Sequence, residues 1–300
     1  MNVLMGTDGS VHASSAMLAA SRFLRRNGVA VDVVCVAPGP PKQAARTTHR
    51  AHRPFMERLA APAKRNLDDA QRILSHAHLK TRGLLEFGSP AERLLALAPS
   101  YDLTVVGAYG SHDRKQPGLG VVSNRLLQLS NANIMIGREL VNQDNFRVLA
   151  ALDSSEASFS ALQTLGTLFD PSALDVTLMH VIETPWASLS ASQPQDSDID
   201  SAELTEYQGE LEKELRRTAD ATMERAIRLL EKWEIPATPI IEEGDPALEL
   251  SSHAEEGGYD LVLAGATGVS DVKHALLGSV SLKLAWNAPC SVVIVRQSLE

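Results

Sequence analysis

One pattern occurs twice in this chain, and a duplicated pattern confines it to two copies of one supersecondary layout. The stretch Asn2-Val3-Leu4-Met5-Gly6-Thr7-Asp8-Gly9-Ser10 corresponds to Arg147-Val148-Leu149-Ala150-Ala151-Leu152-Asp153-Ser154-Ser155. Leu85-Glu86-Phe87-Gly88-Ser89-Pro90-Ala91 matches Ile241-Glu242-Glu243-Gly244-Asp245-Pro246-Ala247, where Ser89 or Asp245 can cap a helix that begins at proline. Tyr101 to Gly107 matches Tyr259 to Gly265, and from there to Arg138 and Arg296 the copies align without a gap. Short apolar runs alternate with helical patterns in both copies. The expected class is therefore α/β: two repeated open parallel five-stranded sheets with helices on both faces, Rossmann-like. Strands are expected near 2–6, 31–36, 81–87, 102–107 and 133–138, and again near 147–152, 175–182, 237–242, 260–265 and 290–296. The units divide as 1–143 and 144–300, and the short junction predicts that they touch.

The units differ in charge. Residues 1–143 carry 18 Lys and Arg against 10 Asp and Glu, a net of +8; the remainder carries 28−18 = 10 against 37−10 = 27, a net of −17. Attraction between the halves explains this better than nucleic acid does, because the chain is only 4% aromatic and its basic residues do not gather around rings. No apolar run approaches the roughly 18 residues of a membrane span, and Met1 to Asp8 lacks a basic leader, so a soluble cytoplasmic protein is expected. Cys35 and Cys290 fall in apolar strand-like runs, which predicts buried thiols and neither a disulfide nor a metal site. Residues 38–54 and 188–206 interrupt the repeat with polar, proline-punctuated or acidic sequence and read as mobile connections.

The chemistry concentrates in Gly265-x2-Gly268-x9-Gly278-Ser279, between the fourth strand of unit two and a helical pattern. Such a spacing arises by accident in about one chain of this length in a hundred. Glycines let backbone approach a ligand, and the amides at a helix start present donors and a positive dipole end to an anion. Amides at Gly278, Ser279 and Val280 can meet a phosphate, and the hydroxyls of Ser279 and Ser281 add donors. In an open parallel sheet, ligands lie beyond the carboxyl ends of the strands. That rule brings together Asp153 after strand one, Val181 near the end of strand two, and Gly265 after strand four. Ionised Asp153 suits ribose hydroxyls or Mg²⁺, with helix capping as its alternative role.

Unit one repeats the arrangement with Asp8, Gly107, Gly110, Gly120 and Ser123, but has Val121 where unit two has Ser279. One lost hydrogen bond to a charged oxygen costs about 1.5–3 kcal/mol, which predicts the weaker site here. The cations Arg114 and Lys115 lie in the intervening segment and could offset that loss. Other candidates are poorer. His49 and His52, and His76 and His78, lack further ligands at metal-site spacing. His180 and His274 are lone histidines without an evident orienting partner. There is no Gly-Lys-Ser/Thr loop and no nucleophile elbow.

Together, Asp8 and Asp153, the two glycine motifs and the two-fold layout resemble a tandem universal stress protein, with two such domains in one chain. The resemblance implies an adenine nucleotide alpha hydrolase-like fold and an adenine nucleotide ligand: ATP, or ADP or AMP, with possible Mg²⁺ at Asp153. It implies adenine at the Val181 backbone, ribose and metal at Asp153, and phosphates held by Gly265, Gly268, Gly278, Ser279, Val280 and Ser281. It also implies that the halves pair as the family's dimer does, through the fifth strands, and leaves room for a homodimer. The expected function is an ATP-binding stress-response or signalling protein whose occupancy alters stability or partner interactions, with at most slow hydrolysis. Two alternatives stay open: a nucleotide-independent module that binds a protein or lipid-like ligand between its domains, and a true phosphotransferase.

Overall fold

The computed structural model describes residues 1–39, 52–110, 118–140, 146–183, 201–268 and 277–296. In the first half β1 (Asn2–Thr7), α1 (Val11–Phe23), β2 (Ala30–Ala37), α2 (His52–His76), β3 (Thr81–Phe87), α3 (Pro90–Leu97), β4 (Leu103–Gly107), α4 (Val121–Leu129) and β5 (Ile134–Gly137) follow in order. The second half repeats them as β6 (Phe146–Leu152), α5 (Glu156–Leu168), β7 (Leu174–Ile182), α6 (Ser201–Glu231), β8 (Ala237–Glu243), α7 (Pro246–Glu256), β9 (Leu261–Gly265), α8 (Ser279–Asn287) and β10 (Ser291–Val295). Runs such as Leu261-Val262-Leu263-Ala264 are buried along their whole length, because helices cover both faces of a parallel sheet.

The strands form one sheet in the order β3-β2-β1-β4-β5-β10-β9-β6-β7-β8. Neighbours within each half are parallel. The halves join at β5 and β10, which run antiparallel with Met135 opposite Val293. Each half thus has the order 3-2-1-4-5, and its winding reverses between β1 and β4 and between β6 and β9. A crevice opens at that reversal, beyond the strand ends.

On one face, α1, α2, α5 and α6 enclose a core that runs across both halves. The Phe23 ring meets Phe146 at 4.5 Å and Phe169 at 6.0 Å, both edge to face. Nearby, Arg25 N donates to Leu168 O at 2.9 Å and Asp170 N to Phe23 O at 2.8 Å. The opposite face carries two smaller cores, under α7 and α8 and under α3 and α4. Arginines of the basic half reach across to rings and carbonyls: Arg22 lies over Phe146 at 4.8 Å, and Arg25 Nη2 donates to Gly166 O at 2.7 Å.

Asp245 caps α7, accepting from Ala247 N and Leu248 N, whereas Ser89 precedes α3 without a side-chain bond. Helix α6 starts at Ser201, inside the stretch expected to be a connection, since Ala202, Glu203 and Leu204 are good helix formers. Residues 40–51, 111–117, 141–145, 184–200 and 269–276, and with them most of both connections, Arg114, Lys115, His49, His274 and the unit boundary, lie outside the described residues. Both cysteines are free and buried, and burial pushes the Cys290 thiol up to about 12. Among the described residues no helix is long and apolar enough to cross a membrane.

Candidate functional site

At the end of β6 the chain turns through Ser154, whose φ of 68° is left-handed. That turn folds Asp153 back so that its Oδ1 accepts from Ser155 N at 3.1 Å and Ser155 Oγ at 2.6 Å. Ser155 in turn caps α5, accepting from Ser158 N. Ser154 Oγ pairs with Thr222 Oγ1 of α6 at 2.5 Å. Capping therefore falls to Ser155, and Asp153 holds Ser155 in place while its second oxygen faces the glycine loop. A Cβ on Gly268 would lie 2.6 Å from Asp153 Oδ2, so only glycine lets the loop come this close. A Cβ on Gly265 would lie 2.6 Å from the Ala157 carbonyl carbon, in the first turn of α5.

Beyond the loop the chain enters α8. Gly278 N donates to Ala266 O at 2.7 Å, and Ser281 Oγ donates to Gly265 O at 2.6 Å from a buried position. Two expectations change here. The Gly278 amide and the Ser281 proton, expected to meet a phosphate, are spent on pinning the two ends of the loop together. The first intrahelical bond is Leu282 N to Gly278 O, so the amides of Ser279, Val280 and Ser281 precede the helical ladder, where a helix start offers donors to an anion.

All eight residues expected at the stronger site, Asp153, Val181, Gly265, Gly268, Gly278, Ser279, Val280 and Ser281, line one cavity of about 390 Å³. Its volume falls within the usual range for small-molecule sites, about 300–1,000 Å³. Met179, Pro246, Leu250 and Ala264 give it an apolar wall, and Leu215 and Thr218 of α6 close the other side. His180, Glu183 and Thr267 line it as well. In the sequence His180 is a lone histidine, and its place beside Val181 at the end of β7 is the signal that puts it in the cavity. His180 Nδ1 is buried without a hydrogen-bond partner. Burial lowers the imidazole's pKa against the opposing pull of the Asp153 charge, which favours the neutral ring.

In unit one Asp8, Gly107, Gly110, Gly120 and Ser123 line a second cavity, of about 100 Å³. Its frame matches the first. Ser10 N donates to Asp8 Oδ1 at 3.0 Å, Gly120 N to Ala108 O at 2.8 Å, and buried Ser123 Oγ to Ala108 O at 2.8 Å and Gly120 O at 3.0 Å. Ser123 is thus another loop pin where a phosphate donor was expected. Asn66 of α2 donates to Asp8 O at 2.9 Å and packs against Gly9. Tyr109 lines the cavity and meets the His12 ring edge-on at 5.3 Å; neither was singled out from the sequence.

Glycines that bring Asp153 against the loop, amides at a helix start and an apolar wall fit a ligand with an anionic end and a flat apolar end. Among the described residues no three His, Cys, Asp or Glu side chains gather as a metal site. A divalent ion at Asp153 would take its remaining ligands from the bound anion and water.

The family model described as "Universal stress protein family" matches residues 1–138 and again 145–296. Universal stress protein YxiE of Bacillus subtilis is 31% identical over 150 residues, covering 50% of this chain and 98% of that protein. Universal stress protein MJ0577 of Methanocaldococcus jannaschii is 28% identical over 160 residues, covering 50% of this chain and 94% of that protein. The solved structure of a universal stress protein from Archaeoglobus fulgidus shares the fold over 99% of this chain and 98% of its own, with a TM-score of 0.67 at 19% identity.

Proposed function

This chain belongs to the universal stress protein family, and we propose that its second unit, residues 144–300, binds an adenine nucleotide, ATP before ADP or AMP. The observation that carries this reading is the cavity that joins an apolar wall to a helix-start anion site across Asp153. Adenine lies against Met179, Val181 and Leu250, where backbone at the end of β7 can read its edge. Ribose hydroxyls donate to Asp153. The phosphates meet the amides of Ser279, Val280 and Ser281 and the exposed Ser279 hydroxyl, and Asp153 would hold a Mg²⁺ that offsets their charge.

Occupancy, rather than turnover, is the output of this site. In this reading the Asp153 carboxylate is engaged by ribose and metal rather than by an attacking water. Bound nucleotide ties the strand-end turn to the loop, so the surface around it is stabilised when ATP is present. Under this reading the protein is a cytoplasmic stress-response component whose partner surface follows nucleotide level.

Equilibrium dialysis of the full chain against ATP with Mg²⁺ tests the proposal. Saturable binding below millimolar, lost in Asp153→Ala, is the expected result. No saturable binding below millimolar overturns it.

A further inference from the structure

We infer that Tyr109, braced by His12, closes the cleft of unit one to nucleoside triphosphates, so that the chain carries one such site rather than two. This rests on the nucleotide reading of unit two and names the residues that set the difference between the units. Both glycine motifs place their end glycines 13 positions apart, 120−107 and 278−265, and both loops are pinned alike: the last glycine's amide bonds the equivalent alanine carbonyl at 2.8 and 2.7 Å, and the helix-start serine bonds Ala108 O at 2.8 Å in one and the neighbouring carbonyl, Gly265 O, at 2.6 Å in the other. Frames so alike enclose about 100 and about 390 Å³. Tyr109 stands in the lining where unit two has Thr267, and His12 stands on α1 where unit two has Ala157. The two rings meet at 5.3 Å and 61°, an edge-to-face contact that braces the phenol against α1. At this point of the lining a tyrosine replaces a threonine.

The hydroxyl missing at Val121 is the smaller effect. Val121 is 67% exposed, so water can serve a phosphate oxygen at that point. A ring cannot be displaced as water can.

Exchanging the pair between units tests the inference. The full-length wild type, His12→Ala/Tyr109→Thr and the reciprocal Ala157→His/Thr267→Tyr are dialysed against ATP with Mg²⁺, and their folds are checked by circular dichroism and thermal melting. We expect one equivalent of ATP per chain in the wild type, two in the opened variant, and at least a tenfold loss of affinity in the reciprocal one. Tyr109→Phe, which keeps the ring, stays at one. Two equivalents in the wild type, one in a folded opened variant, or unchanged binding in the reciprocal variant each overturn the inference while leaving the nucleotide reading intact. Should the opened variant not fold, the reciprocal variant decides. Failure of the wild type to bind ATP is the separate result that removes the nucleotide reading.

Discussion

Arg138 and Arg296 stand at equivalent ends of β5 and β10, and each caps a helix of the other half. Arg138 Nη1 and Nη2 donate to Cys290 O at 3.1 Å and Ala285 O at 2.7 Å, while its backbone N donates to Ser291 Oγ at 3.0 Å. Arg296 Nη2 and Nη1 donate to Leu127 O at 2.5 Å and Ala132 O at 3.5 Å, and its backbone N donates to Asn133 Oδ1 at 2.8 Å. Ala285 and Leu127 lie in the last turns of α8 and α4, where carbonyls lack intrahelical donors and the helix dipole favours a cation. Burial pushes Arg138 down and Arg296 down to about 10, and at that value Arg296 stays charged at neutral pH.

Replacing either arginine orphans carbonyls beside the joint between the halves. Arg138→Ala and Arg296→Ala should each cost about 2–4 kcal/mol, because hydrogen bonds from a charged donor contribute about 1.5–3 kcal/mol apiece. Lysine should restore only part of this, since one ammonium cannot fork to two carbonyls. Urea unfolding monitored by circular dichroism measures it; losses below about 0.5 kcal/mol would show that the caps carry little stability.

The two serines of α8 should separate by what they hold. Ser281→Ala breaks a buried bond to Gly265 O and should lower the stability of ligand-free protein by about 1 kcal/mol. Exposed Ser279→Ala should change that stability by less than about 0.5 kcal/mol and act only on nucleotide affinity. Thermal melts with and without ATP distinguish the two; equal effects on the ligand-free protein would contradict the assignment.

Gly268→Ala puts a methyl group 2.6 Å from Asp153 Oδ2 as the structure stands, so the carboxylate or the loop must move. An affinity loss of about tenfold is expected with the melting temperature nearly unchanged, roughly 1.4 kcal/mol of binding free energy. An unaltered Kd would mean that the carboxylate does not touch the ligand.

His180 makes stability depend on pH. Its folded pKa lies below the usual histidine value because burial disfavours the charged ring, so the unfolded chain binds the extra proton first. Stability should be complete above the unfolded pKa, about 6.5, and fall as pH drops from there towards the folded value. Melting temperatures between pH 7.5 and 5.5 should decline in the wild type and flatten in His180→Gln. A slope of the same size in the variant would assign the effect elsewhere.

Much of the fold was legible in the sequence. The apolar run at 260–265 became β9 at Leu261–Gly265, and the proline after Asp245 opened α7 with its cap. Boundaries slipped where composition misled, as at Ser201, where an acidic stretch continues the helix. In the candidate site, residue identity was legible but role was not. Ser281 and Ser123 were visible as hydroxyls at a helix start, yet both point back to loop carbonyls. Tyr109 was visible as a residue between two motif glycines, but nothing in the motif showed that it would meet His12 from a different element.

The sequence by itself determined the duplication, the strand–loop–helix order and the positions from which a ligand can be reached, because these follow from local periodicity and from glycine spacing along the chain. The tertiary structure alone decided which donors the loop consumes, how much space each cleft encloses, and that Arg138 and Arg296 close the joint between the halves. Hydrogen-bond partners and cavity volume depend on atoms brought together from distant parts of the chain. Ser281 meets a carbonyl 16 residues away, and Arg138 one 152 residues away.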